Sequence, residues 1–180
     1  MIGVLASGSG TNLQALLDAG LPVVAVASNT RGAPALARAV GLPTQAFELD
    51  GYADRAERDS AMAEWLQAQG VQLVVLAGYM HLLTTAFLDR FPDAIVNVHP
   101  SLLPDFPGAH AVEDQLAAGV PESGATVHLV DAGIDTGRVL AQERVPVEPG
   151  DTPETLHARI QAVEHRLLPR IVRDLCLARS

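Results

Sequence analysis

Asn97 and His99 stand two residues apart in the run Ile95-Val96-Asn97-Val98-His99-Pro100. Their neighbours are β-branched, so the alternation predicts a strand starting near Ala94 that sends both polar side chains out of one face. Neither is typical strand filling. An amide with two N–H donors, set beside an imidazole that titrates near neutrality, suits a carbonyl that must be polarised and a leaving group that must be protonated. Pro100, Pro104 and Pro107 follow. Each lacks an N–H and keeps its predecessor extended, which predicts a stiff, ordered loop from Pro100 to Pro107 at the strand's carboxyl end. Open α/β sheets bind their ligands at that end.

A free imidazole has a pKa of roughly 6.5, so a histidine held charged at neutral pH needs an anion beside it. Asp135, in the turn Asp131-Ala132-Gly133-Ile134-Asp135-Thr136-Gly137, is the candidate. His110, just after the proline loop, is the rival general acid. His128 alternates with apolar neighbours and reads as a satisfied structural residue, while His157 and His165 fall on the polar side of the last helix. The histidines and acids show no ligand spacing, so no metal is expected.

The chain opens with a second chemical signal. Ile2 to Ala6 reads as a buried strand, Gly8-Ser9-Gly10 as a turn, and Thr11 as the N-cap of a helix through Leu13, Leu16 and Leu17. Strand, glycine turn and helix make a Rossmann-like unit. A dinucleotide fingerprint would need glycine or alanine where Leu13 stands, and an acid ending the second strand, Val23 to Ala27. That strand runs instead into Ser28-Asn29. The glycines are either a tight turn alone or, with Ser9, Thr11 and Asn12 at a helix N-terminus, the seat of a phosphate monoester.

The remaining elements must carry these sites. A helix through Leu36 and Val40 ends at Gly41, and a short strand covers Thr44 to Phe47. A surface helix spans Ala53 to Gln69, with Ala56, Met62, Ala63 and Leu66 on its apolar face and Arg55 in its first turn, where a cation opposes the helix dipole. Val71 to Ala77 is the apolar run of a central parallel strand. Its exit, Gly78 to Leu83, is more apolar than a loop requires. After a short helix from Thr84 to Arg90 and the strand already described come a helix from about Ala109 to Ala118 and a hairpin of Gly124 to Val130 with Val139 to Val147. Asp151-Thr152-Pro153-Glu154 starts a final helix that runs to Pro169, beyond which a kink or second segment is expected. The fold class is α/β: one three-layer domain, Rossmann-like in its first half, on a mixed, mostly parallel sheet of about seven strands.

Composition narrows the function. At 180 residues and 48% hydrophobic the chain is the size of one domain with one core. A net charge of −9 argues against nucleic-acid binding. There is no lysine, which removes Schiff-base chemistry and the P-loop lysine and leaves arginines, helix N-termini and hydroxyls to handle phosphate. Cys176 is the only cysteine, so no disulfide framework is expected. No signal peptide or membrane span is read, and the expected location is cytoplasmic.

Asn97-x-His99-Pro100-Ser101-Leu102-Leu103-Pro104, followed by Phe106-Pro107-Gly108, resembles the signature of the folate-dependent formyltransferases. With the Gly8-Ser9-Gly10-Thr11-Asn12 opening, the resemblance is greatest to the purine-synthesis branch and spans essentially the whole chain. It implies the formyltransferase fold as a single domain over 1–180, with a phosphate-binding half (1–93) and a catalytic and folate-binding half (94–180). It also implies transfer of a formyl group from 10-formyltetrahydrofolate, a co-substrate and not a bound cofactor, to the amine of N1-(5-phospho-D-ribosyl)glycinamide. By the same resemblance Asn97, His99 and Asp135 are catalytic. Gly10, Thr11, Asn12, Gln161 and Glu164 contact the ribonucleotide. Arg55, Met80, His81, Leu82, Leu83 and Asn97 contact folate, with the backbone of Asp131, Ala132, Gly133, Ile134 and Asp135. Glu164 reads otherwise as a surface charge, and family sequences often carry arginine where His81 stands.

The expected partners are small molecules, without nucleic acid or membrane, and the oligomeric state is open, a homodimer included. Two other readings share the chemistry: a hydrolase passing the formyl group to water, expected to carry an additional domain ahead of this one, and a transferase acting on initiator methionyl-tRNA, expected to carry an RNA-binding domain and positive charge. A more distant one is a non-catalytic nucleotide-binding module, which leaves Asn97, His99 and Asp135 without a purpose.

Overall fold

The computed structural model describes residues 1–179. Its strands are β1 (Ile2–Leu5), β2 (Val23–Ser28), β3 (Thr44–Ala46), β4 (Leu73–Leu76), β5 (Ile95–His99), β6 (Glu122–Leu129) and β7 (Val139–Pro146). They form one seven-stranded sheet in the order β3-β2-β1-β4-β5-β6-β7. Strand β1 pairs in parallel with β2 and β4, and β2 with β3, whereas β6 and β7 form the antiparallel hairpin that the glycines and aspartates between them predict. The helices are α1 (Thr11–Asp18), α2 (Pro34–Arg38), α3 (Arg55–Ala68), α4 (Thr85–Leu88), α5 (Ala111–Ala118) and α6 (Pro153–Ala178). The chain divides into two compact units, Met1–Val96 and the residues from Asn97 onward.

In the first unit, β1 and β4 are buried along their whole length, as their unbroken apolar runs require. Helix α1 does not start as expected. Its N-cap is Gly10, at φ 72° and ψ 29°, with no side chain closing the cap, and Thr11 is already helical. Only glycine takes that backbone freely, and a Cβ there would lie 2.7 Å from Ala35 Cβ. Helix α3 is capped by Asp54, whose carboxylate accepts the Glu57 N–H at 2.8 Å. Asp54 and Glu57 answer the dipole that Arg55 opposes. The helix is more than a surface helix: its buried face holds Arg58 and Asp59 beside Met62, Ala63 and Leu66, while Ala56 is exposed.

In the second unit, α6 packs on β6, β7 and α5. Leu156, Ile160, Val163, Leu167, Leu168 and Val172 fill its buried stripe, each contributing about 1.5 to 3 kcal/mol of burial. Thr152 and Thr155 close a reciprocal capping box, with Pro153 in the first turn. Pro169 neither ends nor divides this helix, which continues unbroken to Ala178. Leu167, Leu168, Pro169 and Val172 are all buried, and that packing outweighs the one backbone bond that a proline removes. Glu164 lies on the same buried stripe, 4% exposed, and is not a surface charge.

The loop after β5 owes its order to more than its prolines. Thr126, buried on β6, donates through Oγ1 to the Ser101 carbonyl (2.6 Å) and accepts the Leu103 N–H (3.1 Å). Gln142 on β7 donates to the Leu103 carbonyl at 2.7 Å, and Gln115 on α5 to the Pro100 carbonyl at 2.9 Å. The Leu103-Pro104 peptide is cis. Gly124 makes room for the loop, since a Cβ there would fall 2.5 Å from Leu102 Cδ2 and 2.3 Å from the Glu143 carbonyl.

Candidate active site

The alternation of β5 places Asn97 and His99 on one face, where both meet Asp135. His99 Nδ1 lies 3.3 Å from Asp135 Oδ2, and Asn97 Nδ2 lies 3.4 Å from Asp135 Oδ1. Asp135 sits in the β6–β7 loop at φ 54°, a left-handed conformation that aspartate tolerates better than most residues. The Gly108 N–H donates to its Oδ2 at 2.8 Å and ties the end of the proline loop to the hairpin. Burial alone would raise the Asp135 pKa. The His128 ring beside it, the Gly108 N–H and the charges of His99 and His128 outweigh it and hold the carboxyl down at about 2.

His99 is nearly enclosed, at 5% exposure, and both its nitrogens face acceptors: Asp135 on one side and, at 2.8 Å from Nε2, the Phe106 carbonyl on the other. A ring protonated on both nitrogens satisfies both partners. Phe106 is held at φ 54°, which for a side chain of this size costs on the order of 1 to 2 kcal/mol.

His128 is buried with both ring nitrogens partnered, as expected of a satisfied strand residue, and it also stands beside Asn97 and Asp135. Its Nε2 lies 3.2 Å from Asn97 Nδ2 and 3.6 Å from Asp135 Oδ1, and its Nδ1 lies 2.8 Å from the Leu129 carbonyl. Its place in a strand that runs into the Asp135 turn was the available signal. His110, by contrast, is exposed at the N-cap of α5 and makes no side-chain cap bond.

In the first unit, the glycine loop is braced from behind. The Ala35 N–H donates to the Gly8 carbonyl at 3.1 Å, and Arg38 Nε donates to the Ser9 carbonyl at 2.6 Å. With no side chain capping α1, its first N–H groups suit an anion. Past β4, Met80 and Leu82 are 62% and 53% exposed. His81 is half-buried against Arg58 and Asn29, and burial, followed by the Arg58 and Arg55 charges, lowers its pKa. Arg55 itself is exposed. In the second unit, Ile134 is exposed, while Asp131 is the turn residue expected, its Oδ1 accepting from the Gly133 N–H (3.0 Å) and the Thr136 hydroxyl (2.7 Å). Ala132 and Gly133 lie exposed in the same turn.

The family described as formyl transferase matches residues 1–172. The chain belongs to the formyl transferase family. Among its relatives, the phosphoribosylglycinamide formyltransferase of Mycobacterium tuberculosis is 47% identical over 178 residues, 96% of this chain and 83% of the relative. The trifunctional purine biosynthetic protein adenosine-3 of Gallus gallus is 42% identical over 176 residues, and there the chain spans 18% of the relative's length. Among solved structures, glycinamide ribonucleotide transformylase 1 from Symbiobacterium toebii matches with a TM-score of 0.94 at 48% identity, over 96% of this chain and 85% of that one. The chain thus has the formyl transferase fold.

Proposed function

We propose that this chain transfers the formyl group of 10-formyltetrahydrofolate to the amine of N1-(5-phospho-D-ribosyl)glycinamide, a step of purine synthesis in the cytoplasm. The convergence of Asn97, His99 and Asp135 carries this reading. Attack of the amine on the formyl carbon forms a carbon–nitrogen bond and an oxyanion. Collapse then breaks the bond to the folate nitrogen, which takes up the proton that the amine gives away. His99, charged and paired with Asp135, donates to the oxyanion and passes its proton to the leaving nitrogen once Nε2 leaves the Phe106 carbonyl. Asn97 supplies a second donor from the same strand face, and Asp135 recovers the amine's proton through water. The residues up to Val96 hold the phosphate, at Gly10, Thr11 and Asn12, and those from Asn97 on carry the chemistry, with Gln161 and Glu164 on the ribonucleotide.

Folate needs an apolar slot edged by backbone donors and acceptors. Met80 and Leu82, exposed past β4, offer apolar surface of that kind. The test is turnover by purified protein with 10-formyltetrahydrofolate and either the ribonucleotide or water as acceptor. Formyl transfer to the ribonucleotide is expected; turnover only without the amine would make the protein a hydrolase.

A further inference from the structure

Arg58 and Asp59, adjacent on α3, are wholly buried, and two of their contacts converge on one short segment. Arg58 donates through Nε and Nη2 to Asp59 Oδ1, at 2.9 and 2.6 Å. Asp59 Oδ2 accepts the Thr84 N–H at 2.7 Å, and Arg58 Nη1 lies 2.7 Å from His81 Nδ1. His81 Nε2 lies 3.2 Å from the Asn29 amide, which is 2.5 Å from Ser7 Oγ, and Ser7 Oγ accepts the Met80 N–H at 2.9 Å. The segment from Met80 to Thr84 is thereby held at both ends and through its middle.

The chemistry of these contacts fixes a proton. A guanidinium has N–H donors, no acceptor and a permanent charge. His81 Nδ1 must therefore offer its lone pair to Arg58, so the ring is neutral and carries its proton on Nε2. Any other form would set two donors against each other at 2.7 Å. Nε2–H must in turn find an acceptor, which turns Asn29 Oδ1 toward His81 and the Asn29 NH₂ toward Ser7 Oγ. Amide oxygen and nitrogen are assigned from their partners, and this assignment alone leaves no donor facing a donor. The 2.5 Å contact to Ser7 is short for an amide donor and must open slightly, a smaller cost than opposed donors beside a buried charge. The groups around the ring agree: burial, Arg58 and Arg55 oppose a second proton, and Asp59, which favours one, is already paired with Arg58. Tyr79, 5.9 Å away between ring centroids, presents a ring that carries no charge at neutral pH.

We infer that Arg58 is a positioning residue that locks His81 as the neutral Nε2–H tautomer, and that this lock, with Asp59, presets the Met80–Leu83 backbone for the pterin of the folate co-substrate. The inference rests on the proposed placement of folate at Met80–Leu83. Its test is nitrogen NMR of the His81 ring in the intact protein, read beside steady-state kinetics. In the wild type, Nδ1 should show a lone-pair shift and Nε2 a bonded proton, with a second proton taken up only below the ordinary imidazole range. Arg58→Met should let His81 titrate near its ordinary range and raise KM for 10-formyltetrahydrofolate on the order of tenfold, with kcat within about twofold. Arg58→Lys, which keeps a charged donor, should recover most of both effects.

A charged or Nδ1–H ring in the wild type would overturn the inference, as would an Arg58→Met protein whose His81 titrates freely while KM is unchanged. Should Arg58→Met fail to fold, the wild-type ring and Arg58→Lys still decide. Failure of the folate placement shows separately, as Met80–Leu83 amide signals that do not respond to a folate ligand in the wild type. It would overturn the link to the pterin whatever the ring nitrogens report.

Discussion

Asp135 and His99 face each other at 3.3 Å, and the same carboxylate oxygen also takes the Gly108 N–H. One anion thus holds the imidazole and the end of the proline loop. Asp135→Asn keeps the size and removes the charge. Proton transfer through His99 then lacks the anion that balances it, so kcat should fall on the order of tenfold or more. Steady-state kinetics of both proteins check this, and an unchanged kcat would falsify the electrostatic role.

The same carboxyl links stability to pH. Its folded pKa of about 2 lies below the ordinary 3.8, so its contribution is full above roughly pH 4 and is lost as pH falls toward 2. Allowing for screening by solvent, that contribution is about 1 to 2 kcal/mol. Acid unfolding of Asp135→Asn should therefore differ from wild type at neutral pH and converge with it near pH 2, as denaturant titrations at several pH values would show.

His99 and His110 separate on exposure and contacts. His99→Ala removes the group paired with Asp135 and should cut kcat on the order of a hundredfold or more, whereas exposed His110→Ala should cost no more than about threefold. The opposite ranking in parallel assays would move the general acid to His110.

Asn97 and His99 were legible because a strand's period of two puts them on one face whatever the fold does around them. Asp135 was legible as a charge in a glycine-rich turn. His128 was not: alternation shows which face it takes within β6, but not that Asn97 and Asp135 meet it there. Thr11 was misread as a cap because its hydroxyl fits the preference, while the left-handed backbone of Gly10 depends on α2 packing behind it. Arg58, Asp59 and Glu164 were invisible as buried groups, since charged side chains on a helix read as solvated until their partners are known.

Thr126 carries the order of the proline loop through its bonds to Ser101 and Leu103. Thr126→Val keeps the volume but strands a buried carbonyl and N–H, a loss of about 1 to 3 kcal/mol. For a chain of this size that lowers Tm by about 3 to 10 °C. Amide exchange at Leu103 should quicken, and kcat should fall, because Phe106, which holds His99 Nε2, lies on the loosened loop. Calorimetry, hydrogen exchange and steady-state kinetics read the three effects; a stable variant with a freely exchanging loop would show that the bond orders the loop without supporting the fold.

Gly10 carries the proposed division of labour. At φ 72°, with Ala35 Cβ 2.7 Å and Ala35 Cα 2.8 Å from where its own Cβ would sit, Gly10→Val must either twist the loop or push α2 away. The conformational cost alone is about 1 to 2 kcal/mol for a non-glycine residue, and the contact with α2 backbone adds to it. The N–H groups at the start of α1 then lose their common aim, so affinity for the ribonucleotide should drop by tenfold or more. The Met80–Leu83 segment is held by Ser7, Arg58 and Asp59 and does not depend on Gly10, so folate affinity should stay within about twofold. Calorimetric titration of the variant with each ligand decides the matter, and equal loss of both affinities would mean that the glycine loop supports the folate segment as well as the phosphate.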